Sequence, residues 1–164
     1  RPTAPSPSAT STESVVVRIF NTYGPGEYYS PYRSVNCRFM YCALMGLPWV
    51  VFRGYGRTST YVEDTVRTLA TISDRFRPGE VYNVGGDAYH TIEELSDLIV
   101  RATGADPGLV EYRDSEVLTT RFKRVDVSKA IRDLGHRTTV SLEEGVERTV
   151  AWMRDAYRDV LPRR

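Results

Sequence analysis

Val15, Val16 and Val17 run through Arg18 into Ile19 and Phe20, and the apolar stretch then breaks at Asn21, Thr22, Tyr23, Gly24, Pro25 and Gly26. A β-branched run of this kind predicts a strand covered on both faces. In α/β folds the carboxyl end of such a strand borders the ligand crevice, and glycine there lets the backbone approach a ligand closely. Downstream, Val35, Phe39, Met40, Ala43 and Leu44 recur at helical spacing and predict a helix over 34–45, closed by Gly46 and Pro48. Trp49 to Phe52 reads as a short strand, 53–60 as a loop, and 61–73 as a helix with Val62, Val66 and Leu69 turned inward. Val81 to Val84 reads as a second buried strand, ending in Gly85 and Gly86. A helix carrying Ile92, Leu95, Ile99 and Ala102 follows, then a strand over 109–112, a short helix over 126–134 stopped by Gly135, and a last helix with Leu142, Val146, Val150, Met153 and Tyr157. Thr91 with Glu94, and Ser141 with Glu144, have the capping-box form at two helix starts. The mixture predicts an α/β fold.

Residues 1–14 hold three of the nine prolines amid Ser, Thr and Ala and read as an extended tail ahead of a single domain over 15–164. With 164 residues, 41% hydrophobic and 26% charged, the chain suits one ordinary globular domain. A formal charge of +1 makes no electrostatic case for nucleic acid or a membrane as the main partner. No apolar run reaches the roughly 20 residues that span a bilayer. Cys37 and Cys42, five residues apart on a predicted helix, fall on different faces. Neither a disulfide nor a metal pair is expected from them, and small core residues in a reducing cytoplasm fit better.

Lys123 and Lys129 are the only lysines among 22 basic residues, and the rest are arginine. The excess reads equally as compositional bias or as planar forks for phosphate. Arg53, Arg57, Thr58 and Ser59 in one loop, Arg121, Lys123 and Arg124 in another, and Asn21 and Asn83 at strand ends could clamp a diphosphate between them. No glycine pattern offers a P-loop or a dinucleotide fingerprint, and no GxSxG elbow or HExxH helix occurs. A Tyr-x-x-x-Lys pair would need Tyr at 119 or 125, where Thr119 and Val125 stand. The expectation is therefore no catalytic set and no metal set. Glu63 with Asp64, Glu93 with Glu94 and Glu143 with Glu144 each begin a predicted helix, where capping and the helix dipole account for them. His90 and His136 read as structural. Tyr28, Tyr29 and Tyr32 could wall a sugar or base pocket or form a dimer surface.

Five segments, RIFNTYGPG (18–26), RTSTYVED (57–64), EVYNVGG (80–86), RVDVSKAIRDLG (124–135) and SLEEGVERTVAW (141–152), occur in an order and spacing that resembles the carboxyl-terminal half of extended short-chain dehydrogenases. These are the NAD-dependent epimerases, dehydratases and decarboxylases of nucleotide sugars. The resemblance implies the carboxyl-terminal part of a Rossmann-type sheet plus a small α/β substrate-binding lobe, with the amino-terminal cofactor-binding half absent. It implies diphosphate contacts at Asn21 and Arg57, a third at Arg121 or Lys123, a substrate role for Tyr23, and a base-side position for Val35 and Asn36. Phe20 and Asn21 would border the cofactor. Ser34, the short RGYGR loop and His136 depart from the family pattern.

In place of the helix carrying Tyr-x-x-x-Lys, the chain has RPTAPSPSATSTES. The implied function is the substrate-binding half of a 4,6-dehydratase, decarboxylase or 4-epimerase acting on a nucleoside-diphosphate sugar and not catalytic alone. NAD would serve the complete enzyme and would not bind this chain by itself. The alternative is a non-catalytic binding or assembly module that pairs with a separate amino-terminal half or with its own copy. Either case predicts exposed apolar surface on the first strand.

Overall fold

The computed structural model describes residues 13–115 and 117–162. Most of the tail expected over 1–14 lies outside them, while the Ser14 carbonyl already accepts from Gly79 N–H at 2.8 Å.

In chain order the elements are β1 (Val16–Ile19), β2 (Thr22–Tyr23), α1 (Val35–Met45), β3 (Trp49–Phe52), β4 (Gly56–Thr58), β5 (Thr60–Tyr61) and α2 (Val62–Ala70). Then come β6 (Val81–Val84), β7 (Tyr89–Thr91), α3 (Ile92–Thr103), β8 (Val110–Arg113), β9 (Phe122–Lys123), α4 (Ser128–Leu134) and α5 (Leu142–Ala156). Parallel pairs form between β1 and β6, β2 and β5, and β3 and β8, while β4 lies between antiparallel β7 and parallel β9. The chain aligns Val16 with Val81 in the first pair, and Arg57 with Lys123 in the last. β4, β5, β7 and β9 are only two or three residues long and fall in stretches rich in Gly, Arg, Thr and Tyr. Their ladders exist because distant segments meet there, so 53–60 is not the plain loop its local pattern suggests.

The main core lies where α1, α3 and α5 pack on one another and on β3. Phe39, Met40, Trp49, Val51, Leu95, Ile99, Val146 and Met153 fill it. Trp49 Nε1–H donates to Ser96 Oγ at 3.0 Å, which satisfies the one polar group that the buried indole carries. A smaller cluster of Tyr82, Val84, Ala130 and Leu134 joins β6 to α4. Ser34 caps α1 through Cys37 N–H at 3.1 Å, and Gly46 ends it at φ 68°, a left-handed conformation that glycine adopts without strain. The Thr91–Glu94 capping box forms on both sides. At α5 only half of the expected box exists, because Ser141 accepts from Glu144 N–H while the Glu144 carboxylate turns to Arg148.

Two readings of the apolar pattern are corrected. β1 is not covered on both faces: it pairs with β6 alone, and Val16 and Ile19 are 54% and 52% exposed. The most deeply buried residues of α2 are Asp64, Thr65 and Thr68; Val62 packs half-buried against the main core and Leu69 is half-buried, whereas Val66, expected to face inward, is 55% exposed. Hydrogen bonds explain the inversion. The Asp64 carboxylate, fully buried, accepts from Thr139 N–H at 2.9 Å, Thr139 Oγ1–H at 2.7 Å and Val140 N–H at 3.2 Å. Arg67 adds a fourth bond at 2.9 Å. Asp64 is thus a staple across 75 residues of sequence rather than a cap, and Tyr61 at the N-cap makes no side-chain bond. Thr68 Oγ1 meets His136 Nδ1 at 2.7 Å, and His136 Nε2–H donates to the Gly85 carbonyl at 2.8 Å, so His136 is structural.

Burial alone would raise the Asp64 pKa, but the bonds from Thr139, Val140 and Arg67 outweigh it and hold the group below its ordinary value. Its stabilising effect is therefore complete above the ordinary aspartate pKa and is lost as pH falls through the lowered folded-state value. Asp64→Ala strands two backbone N–H groups, and urea unfolding at pH 7 should show a loss of about 3 kcal/mol. The gap between the variant and the parent should narrow on moving below about pH 4.

Candidate functional site

Asn21 lies between β1 and β2, and its φ of 45° turns the chain sharply into β2; Asn is among the few residues that tolerate this conformation. Asn21 Nδ2–H donates to the Thr58 carbonyl at 2.9 Å, and its own carbonyl accepts from Thr60 N–H at 3.1 Å. The polar turn after the first strand is thereby sewn to the segment that carries Arg57.

Beyond that seam opens a cleft of about 240 Å³ between the start of α1 and the β4–β9 pair. Among the described residues its charged lining is Arg33, Arg38, Arg57 and Lys123, with no carboxylate. Its apolar wall is Val35, Phe39, Val50, Phe52, Tyr55 and Ile92. Arg57 and Lys123 are register partners on adjacent strands and form one pair of cations. Arg33 and Arg38 flank the first turn of α1 and form the other. Among the described residues Arg33, Arg38 and Lys123 make no ion pair, whereas Arg53, Arg67, Arg77, Arg113, Arg132, Arg148, Arg158 and Lys129 each do. This distinguishes the two readings of the arginine excess: much of it serves surface pairs, and a local concentration faces an open cleft.

A larger cavity of about 630 Å³ has the opposite character. Asp87, Glu94, Asp97 and Glu143 line it against Arg101, so it repels a diphosphate despite its size. His90 and Ser59 stand at its edge, with His90 Nε2 2.8 Å from Ser59 Oγ. Burial lowers the His90 pKa, the Thr91 carbonyl opposes the shift, and the charge of Arg57 adds to it, leaving the ring neutral at pH 7. Ser59 Oγ also reaches Asn36 Oδ1 at 3.3 Å, so Asn36, Ser59 and His90 form a continuous polar chain behind the cationic cleft.

Of the residues named from the sequence, Val35, Arg57 and Lys123 line the cationic cleft together. Arg121 stacks 5.6 Å over the ring of Tyr55, a cleft wall residue, and so stands beside it. Asn36 is buried immediately behind Val35. Asn21 is one residue removed, through its bond to Thr58. Tyr23 is 2% exposed, packs edge-on to Tyr61 at 5.9 Å and donates to the Leu142 carbonyl at 3.3 Å, so it belongs to the core rather than the cleft lining. Arg33 and Arg38 were passed over in the sequence because each sits among tyrosines or on a helix with no phosphate motif. The signal that could have found them is their spacing about the α1 start, which places both on the side of Val35.

The tyrosine segment forms a latch. Tyr29 stacks on Tyr41 at 3.9 Å and its N–H donates to Tyr157 Oη at 2.8 Å, while Tyr28 packs edge-on to Trp152 at 5.3 Å. Glu27 braces the cleft side of this segment by accepting from Ser34 N–H and Oγ–H at 3.0 and 2.9 Å. Burial first, then the Glu27 charge, pushes the Cys37 thiol up to about 12, so it stays protonated and donates to the Glu27 carbonyl at 3.2 Å.

The described residues do not fit a dinucleotide. At the end of β6 both glycines are packed against protein rather than left open: a Cβ on Gly85 would meet Val125 at 2.9 Å and Phe20 at 3.0 Å, and one on Gly86 would strike the Ser59 backbone. No glycine turn here leads from a strand straight into a helix start. Phe20 is occupied in this packing, and its N–H extends the β1–β6 ladder to the Val84 carbonyl at 2.9 Å.

No family model matches the chain. Among curated proteins it is 37% identical over 140 residues to a dTDP-glucose 4,6-dehydratase of Streptomyces griseus, covering 84% of this chain and 42% of that protein. It is 30% identical over 152 residues to a UDP-N-acetyl-alpha-D-glucosaminuronate decarboxylase of Bacillus cytotoxicus, covering 88% and 47%. Among solved structures, the UDP-glucose 4-epimerase of Thermotoga maritima with UDP-glucose superposes with a TM-score of 0.79 at 32% identity, over 88% of this chain and 47% of that one. A dTDP-glucose 4,6-dehydratase of Streptomyces venezuelae with NAD and TDP bound gives 0.76 at 28% identity, over 88% and 44%. The chain spans less than half the length of these relatives and aligns with their carboxyl-terminal portions.

Calorimetric titration with inorganic pyrophosphate at low ionic strength should show binding that weakens at least about tenfold in Arg57→Ala and in Lys123→Ala. Glu143→Ala, in the larger cavity, should leave it unchanged.

Proposed function

The chain is a partial member of the NAD-dependent epimerase and dehydratase family, and from that premise we propose that it is the nucleotide-sugar-binding part of such an enzyme. The observation that carries the proposal is the cleft whose charged lining, among the described residues, is Arg33, Arg38, Arg57 and Lys123, set against an aromatic and aliphatic wall. A nucleoside-diphosphate sugar matches it in both respects, since the diphosphate carries the negative charge and the base offers a flat apolar body. Arg57 and Lys123 hold the phosphoryl oxygens, with Arg121 behind Tyr55 adding positive potential. Asn21 orients the turn at the phosphate end, and Val35 and Asn36 stand at the base end.

The reaction of the complete enzyme is epimerisation, dehydration or decarboxylation of the sugar, with NAD supplying the hydride chemistry when bound. This chain's residues contribute binding and orientation. The cofactor and the proton-transferring groups belong to another polypeptide segment. The open edge of β1 and the exposed Val16 and Ile19 favour this division, because a two-stranded parallel sheet is seldom stable unless covered. A cofactor-binding half, or a second copy of the chain, supplies the missing cover.

UDP-glucose and dTDP-glucose should bind the chain, and Arg57→Ala should abolish most of that binding in calorimetry. Turnover of either sugar nucleotide by the chain alone with added NAD would overturn the division of labour. Sedimentation of the parent should show self-association that Ile19→Lys reduces, and a purely monomeric parent at tens of micromolar would argue against the open edge as a contact surface.

A further inference from the structure

The hydrogens shared by His90, Ser59 and Asn36 decide which way their chain of bonds runs. His90 Nδ1 faces the Thr91 carbonyl at 3.2 Å, and Nε2 faces Ser59 Oγ at 2.8 Å. Ser59 Oγ lies 3.3 Å from Asn36 Oδ1. Asn36 is 1% exposed, and its Nδ2 is buried with no hydrogen-bond partner among the described residues.

A carbonyl only accepts, so His90 Nδ1 carries a hydrogen in either charge state of the ring. In the neutral ring Nε2 is then bare and takes the single hydroxyl hydrogen of Ser59. Ser59 Oγ is left with lone pairs toward Asn36, which repel a carbonyl oxygen and suit an amide N–H. In the charged ring both nitrogens donate. Nε2–H then gives to Ser59 Oγ, and the hydroxyl is free to donate to Asn36 Oδ1. The contact between Ser59 and Asn36 Oδ1 therefore belongs to the protonated chain. The neutral chain requires the amide turned end for end, which also gives the unpartnered Nδ2 an acceptor.

We propose that His90 is a positioning residue for the cationic cleft: through Ser59, its proton sets which end of the Asn36 amide turns away from Ser59, the N–H end when the ring is charged and the carbonyl end when it is neutral. Ser59 lines the larger cavity, and Asn36 follows Val35, a wall residue of the cleft. The consequence for a ligand rests on reading the cleft as a nucleotide site. There the charged state favours an anion twice over, because it adds a cation and turns the positive end of the amide dipole outward from the chain.

The surroundings of His90 are mixed in sign. Burial disfavours the charged ring most, the Thr91 carbonyl supports it, and Arg57, its register partner on β4, opposes it. Glu94 on α3 and Glu143 at the start of α5 support it. Asp87, Tyr89, Asp97 and Arg101 line the same cavity, and Arg124 lies 4.2 Å over the Tyr89 ring. The balance places the change of state on the acid side of the ordinary histidine value.

The test is a titration of the isotope-labelled chain followed by NMR between about pH 8 and about pH 4.5. The Asn36 carboxamide resonances should move with the midpoint of the His90 ring. In Ser59→Ala they should stay still while the ring continues to titrate. Carboxamide resonances that ignore the ring, or follow it equally in Ser59→Ala, overturn the proposal, as does a ring that keeps one charge state throughout. UDP-glucose, whose diphosphate diester keeps its charge over this range, should bind at least about threefold more tightly below the midpoint than above it. Ser59→Ala and His90→Gln should each lose most of that difference. An affinity that stays flat in a chain that binds UDP-glucose overturns the link to the cleft. Absence of binding at every pH would instead remove the nucleotide-site reading, with the carboxamide resonances still deciding whether the amide reverses.

Discussion

The buried Asp64 carboxylate is the interaction on which the arrangement of the chain turns. It draws the 139–140 segment onto the first turn of α2 through three bonds and so sets where α5 begins. α5 in turn covers Tyr23 and Tyr61 so closely that position 145 must be glycine, since a side chain there would strike both rings. Those tyrosines are register partners in the β2–β5 pair, and β5 follows β4, which carries Arg57. A single carboxylate therefore links the last helix to the strand that presents the central cation of the cleft. An apolar residue at 64 could be buried at no electrostatic cost, but it would leave the Thr139 and Val140 N–H groups without acceptors.

Charge pairing decides which concavity suits an anion. The larger cavity is acidic and the smaller one cationic, so size and function separate. Arginines that meet carboxylates on the surface contribute little to any site. Arg33 and Arg38, exposed and in no ion pair among the described residues, keep their charge available beside an aromatic wall, and the polar chain of Asn36, Ser59 and neutral His90 backs that wall without competing for the anion.

The sheet tells a complementary story. β1 and β6 form a parallel pair whose apolar side chains are only partly covered, while the helical core around α1, α3 and α5 is closed and well filled. The helical side, which carries the cationic cleft, is thus finished within the described residues, and the strand side retains an edge able to receive further strands. Family relatives more than twice as long as the matched region, some solved with NAD, accord with that asymmetry.

Local chemistry determined the elements whose logic is contained in a few neighbouring residues. Helix periods from α1, α3 and α5, the glycine stops at 46 and 135, and the Thr91–Glu94 box were legible because caps and stripes act over one or two turns. Order and spacing of five short segments sufficed for the family. Tertiary structure decided the rest, for reasons of partnership. Val66 faces solvent because Asp64 and Thr68 find polar partners 75 and 68 residues away, which no periodicity reveals. Tyr23 entered the core and the short β4, β7 and β9 acquired ladders for the same reason. Arg57 and Lys123 were visible as candidates, but Arg33 and Arg38 became part of the site only when folding set the α1 start against β4 and β9 and left their charges unpaired. Sequence specifies which groups are able to bind an anion, and the fold determines which of them remain free to do so.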